Sequence, residues 1–180
     1  GLTIYTTFDH NIQRILTENS DLTSNFSNSN VDNSSIVLDN DTGYVLAYHS
    51  SLDYEVFRQL GSTIKPLVVY APALEAGLVS LATPINDEQI SFGGWSPKNY
   101  GDKYFGIITP REAIKKSSNT VAVKIASYIG EIKLVEFGRK FNLTLTDKDK
   151  NLTTALGATE KGQSPLRLAS AYSTFANEGQ

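Results

Sequence analysis

The order of the predicted elements indicates an α+β domain. A short strand and a helix come first, a β-hairpin follows, and the rest of the chain is mostly helical. The chain has 180 residues, of which 40% are apolar and 19% charged, an ordinary balance for a domain with a real core. We therefore predict one domain over residues 1–180.

The first fifty residues carry the strand signals. Alternating apolar residues in 2–7 predict a short strand, and Asp9 has the position of an N-cap for the helix that follows. Residues 19–35 are rich in Asn, Ser and Asp and predict a solvated loop. Two apolar runs within residues 34–50 flank turn residues, and Gly43 can supply the positive φ that a hairpin turn needs.

Residues 62–76 predict a helix that stops at Gly77. Pro72 lies inside this pattern and is expected to kink the helix or divide it. The segment 83–108 is rich in Gly, Pro, Tyr and Asn and is expected to be a long surface excursion, a type of segment that often carries function.

Two helix starts are marked by a cap followed by proline at the first helical position, after Thr109 and after Ser164. Helical patterns fill 120–129 and 131–141, and Gly179 is placed as a final stop. Two strands in a hairpin are too few for a stable sheet under so many helices. Together with the absence of Met, this predicts that the sequence is a piece of a longer protein whose further strands lie elsewhere.

Composition excludes several classes of function. The net charge of -3, with no basic stripe, argues against a nucleic-acid partner. No apolar run is long enough to span a bilayer. Cysteine is absent, which excludes thiol chemistry and thiolate metal sites. A metal site or a Ser-His-Asp triad would have to use His10 or His49, and neither stands in a ligand-like spacing.

A serine and a lysine stand three residues apart in RQLGSTIKP, residues 58–66. Positions i and i+3 share a helix face, so the Lys65 amine can reach the Ser62 hydroxyl. Pro66 is tolerated in a first helical turn, which places Ser62 near the helix N-terminus. There the helix dipole favours the neutral amine that a general base requires. A capped helix with a solvated lysine is the simpler explanation of the same residues.

A second constellation is Ser117-Ser118-Asn119. At a loop or helix junction, the Ser117 hydroxyl could relay a proton and the Asn119 amide could hold a substrate carbonyl. The alternative is a helix break in which Ser118 or Asn119 caps the helix that starts near Thr120. The local pattern by itself favours the cap.

Taken together and in order, these segments resemble the transpeptidase domain of bifunctional (class A) penicillin-binding proteins. GLTIYTTFDHNIQ resembles the domain entry, and SSIVLDNDTGYVLA resembles the first sheet hairpin. RQLGSTIKP resembles the family's serine-helix segment, which usually has Pro where this chain has Leu60. WSPKNYGDKYFGIITPREAIKKSSNTVAVKIA is similar to the Ser-x-Asn region, and ALGATEKGQSPLRLASAYSTFANEG to the helical segment before the family's last strands.

The resemblance implies the penicillin-binding/serine β-lactamase-like transpeptidase fold, an antiparallel sheet flanked by helices, here truncated after the helical region. It implies acyl transfer on peptidoglycan stem peptides with no cofactor and no metal. Ser62 would attack the D-Ala-D-Ala bond, and Lys65 would take its proton. Ser117 would shuttle protons to the leaving group, and Asn119 would bind the amide of the peptide or of a β-lactam, which would trap Ser62 as an ester.

The resemblance also implies where the protein works. It places the domain at the extracytoplasmic face of the bacterial cell membrane, held there by an N-terminal anchor outside these residues. The partners that it implies are peptidoglycan stem peptides and β-lactam antibiotics.

One departure from the family is the absence of its third motif, Lys-Thr/Ser-Gly, from all 180 residues. In the family this motif binds the substrate carboxylate. We therefore expect these residues alone to be poorly active or inactive unless a second chain supplies the missing strands. Two alternatives remain. One is a serine β-lactamase, for which no deacylating base is evident, and the other is a penicillin-recognising sensor or degenerate binding module.

Overall fold

The computed structural model describes residues 1–20, 26, 31–52 and 55–179. Contacts within the chain divide it into two compact units. Unit 1 consists of Gly1–Arg58 with Gln163–Gln180, and unit 2 consists of Gln59–Gly162. Each unit has a two-stranded antiparallel sheet and its own helices.

Unit 1 is built around the predicted hairpin. Strands β1 (Ser34–Leu38) and β2 (Val45–Ser50) pair antiparallel, with a register shift between Val37 and Leu38. Gly43 has φ 71° in the connecting turn, as the sequence predicts. Helix α1 (His10–Ser20) contacts β2, and helix α6 (Pro165–Ser173) contacts β1.

The caps of these two helices are those that the sequence indicates. The Asp9 carboxylate accepts the N–H groups of Asn11 and Ile12 at 2.9 Å each. The Ser164 hydroxyl accepts the Arg167 N–H at the start of α6. However, α6 ends at Ser173, before Gly179, because the chain turns over the last residues instead of continuing the helix.

Two expectations for unit 1 are wrong. Residues 2–7 do not form a strand, because no partner strand pairs with them in the described part of the chain, and Leu2 is 97% exposed. The predicted loop 19–35 is also too long: its first two residues complete α1, and its last two begin β1. Residues 21–25 and 27–30 within it lie outside the described part.

Unit 2 begins with a helix that changes type along its length. A 3-10 turn over Gly61–Ile64 leads into a π-helical segment, Pro66–Tyr70, and then into helix α2, Ala71–Glu75. The Ala71 N–H bonds the Pro66 carbonyl, five residues back. This run confirms the predicted helix. It is continuous through Pro72, and only its hydrogen-bonding type changes just before that residue. Gly77 then ends the run with φ 66°.

Three further helices of unit 2 begin close to where the caps and patterns predict them. They are α3 (Pro110–Lys116), α4 (Asn119–Ile129) and α5 (Glu131–Lys140). The Thr109 hydroxyl accepts the Glu112 N–H at 3.3 Å and so caps α3. Helix α4 has the largest share of buried residues among the α-helices of unit 2 and packs against the π segment; its core residues are Val121, Ala122, Val123, Ile125 and Ala126.

The segment 83–108 is only partly the surface excursion that its composition predicts. Strands β3 (Ile85–Asp87) and β4 (Gly106–Ile108) pair antiparallel, and a 3-10 turn covers Tyr100–Asp102. Asp87 and Asn99 are buried inside the unit. Composition could not reveal this, because their burial depends on partners far along the chain.

Candidate active site

The lysine of the first motif is the centre of the candidate site. The Lys65 side chain is 2% exposed, at the junction between the 3-10 turn and the π segment. Its Nζ atom donates to the Ser117 carbonyl at 2.7 Å, the Ser117 hydroxyl at 3.1 Å and the Asn119 Oδ1 atom at 2.6 Å. The fold therefore joins the two motifs that the sequence separates.

Ser62 stands one helical turn before the lysine, and its main-chain carbonyl accepts the Lys65 N–H. Ser62 is exposed, as a nucleophile that must meet a substrate requires. Within the described part of the chain, its hydroxyl is not among the acceptors of the Lys65 amine. Such bonds are often loose in the absence of substrate and form in the reactive complex.

Burial changes the acid–base properties of the lysine. Loss of hydration lowers the pKa of Lys65 to about 8, because a buried ammonium is less stable than a hydrated one. The sequence also predicts a lowered pKa for Lys65, but from the helix dipole, whereas the cause in the structure is burial. A pKa near 8 leaves about a tenth of the lysines neutral at pH 7.

Ser117 ends helix α3 in a left-handed conformation, with φ 52° and ψ 39°. Its N–H bonds the Ala113 and Ile114 carbonyls, and the next N–H, of Ser118, also bonds Ala113. This is a helix end of the kind that glycine usually forms. With serine at that position, both the Ser117 carbonyl and its hydroxyl reach the lysine.

Ser118 is the N-cap of α4, and its hydroxyl accepts the Val121 N–H at 3.1 Å. The capping interpretation of this stretch is therefore confirmed. It does not compete with the chemical one, because the cap is the middle residue and the flanking Ser117 and Asn119 contact the lysine. The sequence alone presented these as alternatives.

The Asn119 amide is held on both sides. Its oxygen accepts from Lys65, and its nitrogen donates to the Lys98 carbonyl at 2.6 Å. An amide nitrogen has two hydrogens, so the second N–H can still serve a ligand carbonyl.

The sequence patterns did not predict the two buried residues that bond the turn at Ser118 and Asn119. Asp87 and Asn99 are 1% and 6% exposed and bond the residues that follow Ser117. Tyr70 lies nearby, and burial, followed by the Asp87 carboxylate, raises the pKa of its hydroxyl. Both residues lie in the segment 83–108, whose Gly, Pro, Tyr and Asn content predicts a surface excursion. No local pattern distinguishes such residues from loop residues.

The two histidines lie in unit 1, His10 at the start of α1 and His49 on β2, whereas the site residues lie in unit 2. Within the described residues, no group of three or more His, Cys, Asp or Glu side chains could hold a metal ion. No helix in the described part of the chain is long and apolar enough to cross a membrane.

The α+β fold, with its Ser-Lys and Ser-x-Asn constellations joined at Lys65, resembles a penicillin-binding transpeptidase domain. Residues 34–180 match the family model described as the penicillin binding protein transpeptidase domain. The chain therefore belongs to the penicillin-binding protein transpeptidase family. This confirms the resemblance that the sequence suggested, including the α+β transpeptidase fold.

The relatives with similar sequences are penicillin-binding proteins. Penicillin-binding protein 1A of Clostridium botulinum is 31% identical over 209 aligned positions, covering 99% of this chain and 25% of the relative. Penicillin-binding protein 1F of Bacillus subtilis is 38% identical over 160 positions, covering 83% of this chain and 22% of the relative. The chain thus spans about a quarter of the length of these relatives.

Solved structures show the same fold. Penicillin-binding protein 1A from Haemophilus influenzae superposes with a TM-score of 0.69 at 30% identity, covering 80% of this chain and 23% of that one. PonA1 from Mycobacterium tuberculosis, in complex with penicillin V, gives a TM-score of 0.84 at 22% identity, covering 98% of this chain and 51% of that one. At that identity the second similarity concerns the fold alone.

Proposed function

We propose that this chain carries the nucleophile and general base of a serine D,D-transpeptidase that cross-links peptidoglycan stem peptides. One observation carries the proposal: the Lys65 amine is buried and bonded to both Ser117 and Asn119, which lie 52 and 54 positions along the chain. A solvated lysine at a helix start would need none of these contacts. The proposal takes residues 1–180 as part of one transpeptidase domain.

In the first step, the Ser62 oxygen attacks the carbonyl of the terminal D-Ala-D-Ala bond. A neutral Lys65 amine takes the hydroxyl proton, and its lowered pKa makes the neutral form accessible near neutral pH. The tetrahedral intermediate then collapses, D-Ala leaves, and the donor peptide remains as an ester on Ser62. An amine of a neighbouring stem peptide resolves this ester and forms the cross-link.

The second motif serves the leaving group and the substrate. The proton that Lys65 receives can pass to the Ser117 hydroxyl, 3.1 Å away, and from there to the departing amine. The second N–H of the Asn119 amide donates to the carbonyl of the substrate amide. A β-lactam would follow the same first step and remain on Ser62 as a slowly hydrolysed ester.

The setting of the reaction follows from the same proposal. Peptidoglycan lies outside the cytoplasmic membrane, so the site would work at the extracytoplasmic face, held there by an anchor elsewhere in the polypeptide. The PonA1 structure contains penicillin V. We propose that this chain also binds β-lactams covalently.

The proposal is tested by intact-mass spectrometry of the whole polypeptide that carries this sequence, after incubation with a fluorescent penicillin. One covalent adduct is expected, and it should be absent in Ser62→Ala. Thr63→Ala serves as the matched control, because it removes the neighbouring exposed hydroxyl and should keep the adduct. If the whole polypeptide forms no adduct, or if Ser62→Ala still forms one, the assignment is wrong.

Products then separate the enzyme from its alternatives. A transpeptidase releases D-Ala from a stem pentapeptide and yields a cross-linked dimer. A sensor would form the penicillin adduct but release no D-Ala, and a serine β-lactamase would turn over a chromogenic β-lactam rapidly. These 180 residues contain no Lys-Thr/Ser-Gly motif, so we expect them alone to acylate about 10²–10³-fold more slowly than a polypeptide that has it.

A further inference from the structure

Asp87, at the end of strand β3, is a buried carboxylate outside the two motifs. No Lys or Arg in the described part of the chain forms an ion pair with it. Instead, its oxygens accept hydrogen bonds from four residues. The donors are the Asn99 amide at 2.9 and 3.0 Å, the Phe105 N–H at 3.1 Å, the Ser118 hydroxyl at 3.0 Å and the Thr120 hydroxyl. A buried carboxylate is tolerated only when its oxygens are satisfied in this way.

The donors come from both sides of the second motif. Ser118 and Thr120 flank Asn119, and both hydroxyls point at the same Asp87 oxygen, Oδ1. Because Ser118 and Thr120 both bond this buried oxygen, the first turn of α4 has little freedom to rotate. The side chain between them, Asn119, accepts a hydrogen bond from Lys65 instead.

Asn99 provides the second connection. Its Nδ2 atom donates to the Asp87 carboxylate, while its Oδ1 atom accepts the main-chain N–H groups of Asn119 at 2.7 Å and Thr120 at 3.2 Å. The first N–H groups of a helix have no partner within the helix. Here a buried side chain supplies the partner, and Asp87 in turn orients that side chain.

We propose that Asp87, acting through Asn99, Ser118 and Thr120, is a positioning residue for acylation of Ser62, since it holds the turn that presents Ser117 and Asn119 to Lys65. The left-handed conformation of Ser117 fits this role. A serine with φ 52° costs free energy and persists only where its surroundings hold it. The main-chain carbonyl and the hydroxyl that this conformation exposes are two of the three acceptors of Lys65.

The test changes one atom of the carboxylate. Asp87→Asn keeps the shape of the side chain but replaces one carboxylate oxygen with an NH₂ group. That group cannot accept the hydrogen bonds that the oxygen accepted. The rate of acylation by fluorescent penicillin, divided by the folded fraction, should fall about 10- to 100-fold, as for a misplaced catalytic group. Asp102→Asn is the matched control. It makes the same change at an exposed aspartate whose φ of 53° asparagine also tolerates, and its rate should stay at the wild-type value.

A second pair of variants separates positioning from general destabilisation. Thr120→Val keeps the shape of a fully buried side chain and removes only the hydroxyl that bonds Asp87. Acylation per folded molecule should fall about tenfold. Thr120→Ser keeps the hydroxyl, loses a methyl group and should acylate at close to the wild-type rate, although the lost methyl lowers its thermal stability. A merely structural contact would leave acylation per folded molecule equal in the two variants, whatever their stabilities.

This inference rests on the proposed function for its rate measurement, and the outcomes of the two are distinguishable. If wild-type polypeptide is not acylated, the proposed function fails. If wild type is acylated and Asp87→Asn acylates equally fast per folded molecule, the positioning role fails. Amide hydrogen exchange gives an answer without acylation: the Asn119 and Thr120 N–H groups should exchange faster in Asp87→Asn, and unchanged protection of both would also overturn the inference.

Discussion

Asp87 and Asp149 are two aspartates of unit 2, each 1% exposed, and they organise their surroundings in different ways. Asp149 accepts the Thr146 N–H at 2.6 Å, the Thr146 hydroxyl at 3.1 Å and the Glu160 N–H at 2.7 Å. These partners lie 3 and 11 positions away. The partners of Asp87 lie up to 33 positions away and adjoin the candidate active site.

The sequence distance to the partners distinguishes a buried carboxylate that stabilises a local turn from one that contacts the candidate site. Asp149 closes a capping box with Thr146, a pattern of neighbouring residues that stabilises one short 3-10 turn. Asp87 joins a strand, a loop and a helix start, so its effect reaches the residues that bond Lys65. The following predictions test this contrast.

The largest effect is expected where the Asp87 network ends, at Lys65. In Lys65→Arg the cation is kept, but a guanidinium does not give up its proton in proteins and so cannot act as a base. Acylation of Ser62 should fall by about 10²–10⁴-fold. Lys148→Arg is the control near Asp149, where the exposed lysine pairs with Glu160, and it should acylate normally. Thermal unfolding confirms that both variants are folded, and acylation of Lys65→Arg within tenfold of wild type would contradict the base assignment.

Gly157→Ala tests a direct backbone contact with the residue that precedes Ser62, a contact that does not involve Asp149. Gly157 has φ 81°, and a Cβ atom there would lie 2.6 Å from the Gly61 Cα atom and closer still to its N and O atoms. Gly61 immediately precedes Ser62, so the backbone at the proposed nucleophile must shift. We expect acylation to fall at least about tenfold, since small displacements of reacting groups are costly. Gly94→Ala, at φ 88° with open space around it, controls for the strain of positive φ alone.

The pH dependence of acylation should report the lowered pKa of Lys65, about 8. Below that pH the amine is protonated and cannot accept the Ser62 proton, so the rate should rise about tenfold for each pH unit up to about 8 and then level off. The pKa of Lys148 moves in the opposite direction, because Glu160 stabilises its ammonium. A rate that is constant from pH 6 to 9 would exclude Lys65 as the base.

The same shift affects stability in a defined direction. The pKa of Lys65 is about 8 in the folded protein, against the ordinary lysine value of 10.5. Between these two values the unfolded chain binds one proton more than the folded chain at this site. The contribution of Lys65 to the free energy of unfolding should therefore rise with pH through this window. Comparing urea unfolding of wild type and Lys65→Met at pH 7.5 and 10 isolates this contribution.

The smallest effect on acylation is expected for Asp149→Asn. The substitution weakens the capping box and should lower the free energy of unfolding by about 1–3 kcal/mol. Acylation per folded molecule should stay within about twofold of wild type, because the partners of Asp149 are the turn itself and Glu160. If this variant loses acylation as strongly as Asp87→Asn, the contrast between the two aspartates is wrong.

Local features were predictable from the sequence. The caps at Asp9, Thr109 and Ser164, the hairpin turn at Gly43 and the stop at Gly77 all depend on side chains within a few positions of the backbone groups that they serve. The strand expected in residues 2–7 failed for the converse reason. Alternation makes a strand possible, but only a partner strand satisfies its main-chain groups.

For the candidate site, local sequence patterns predict the proposed reactive groups and their order: Ser62 and Lys65 one turn apart, then Ser117 and Asn119 on either side of a helix cap. Their resemblance to the transpeptidase family supplied the expected chemistry. Only the tertiary structure shows that Lys65 is buried against the second motif. It also shows that Asp87 and Asn99 bond the residues of that motif. The physical reason is that burial and long-range hydrogen bonds depend on which segments meet, and spacing along one segment does not encode that meeting.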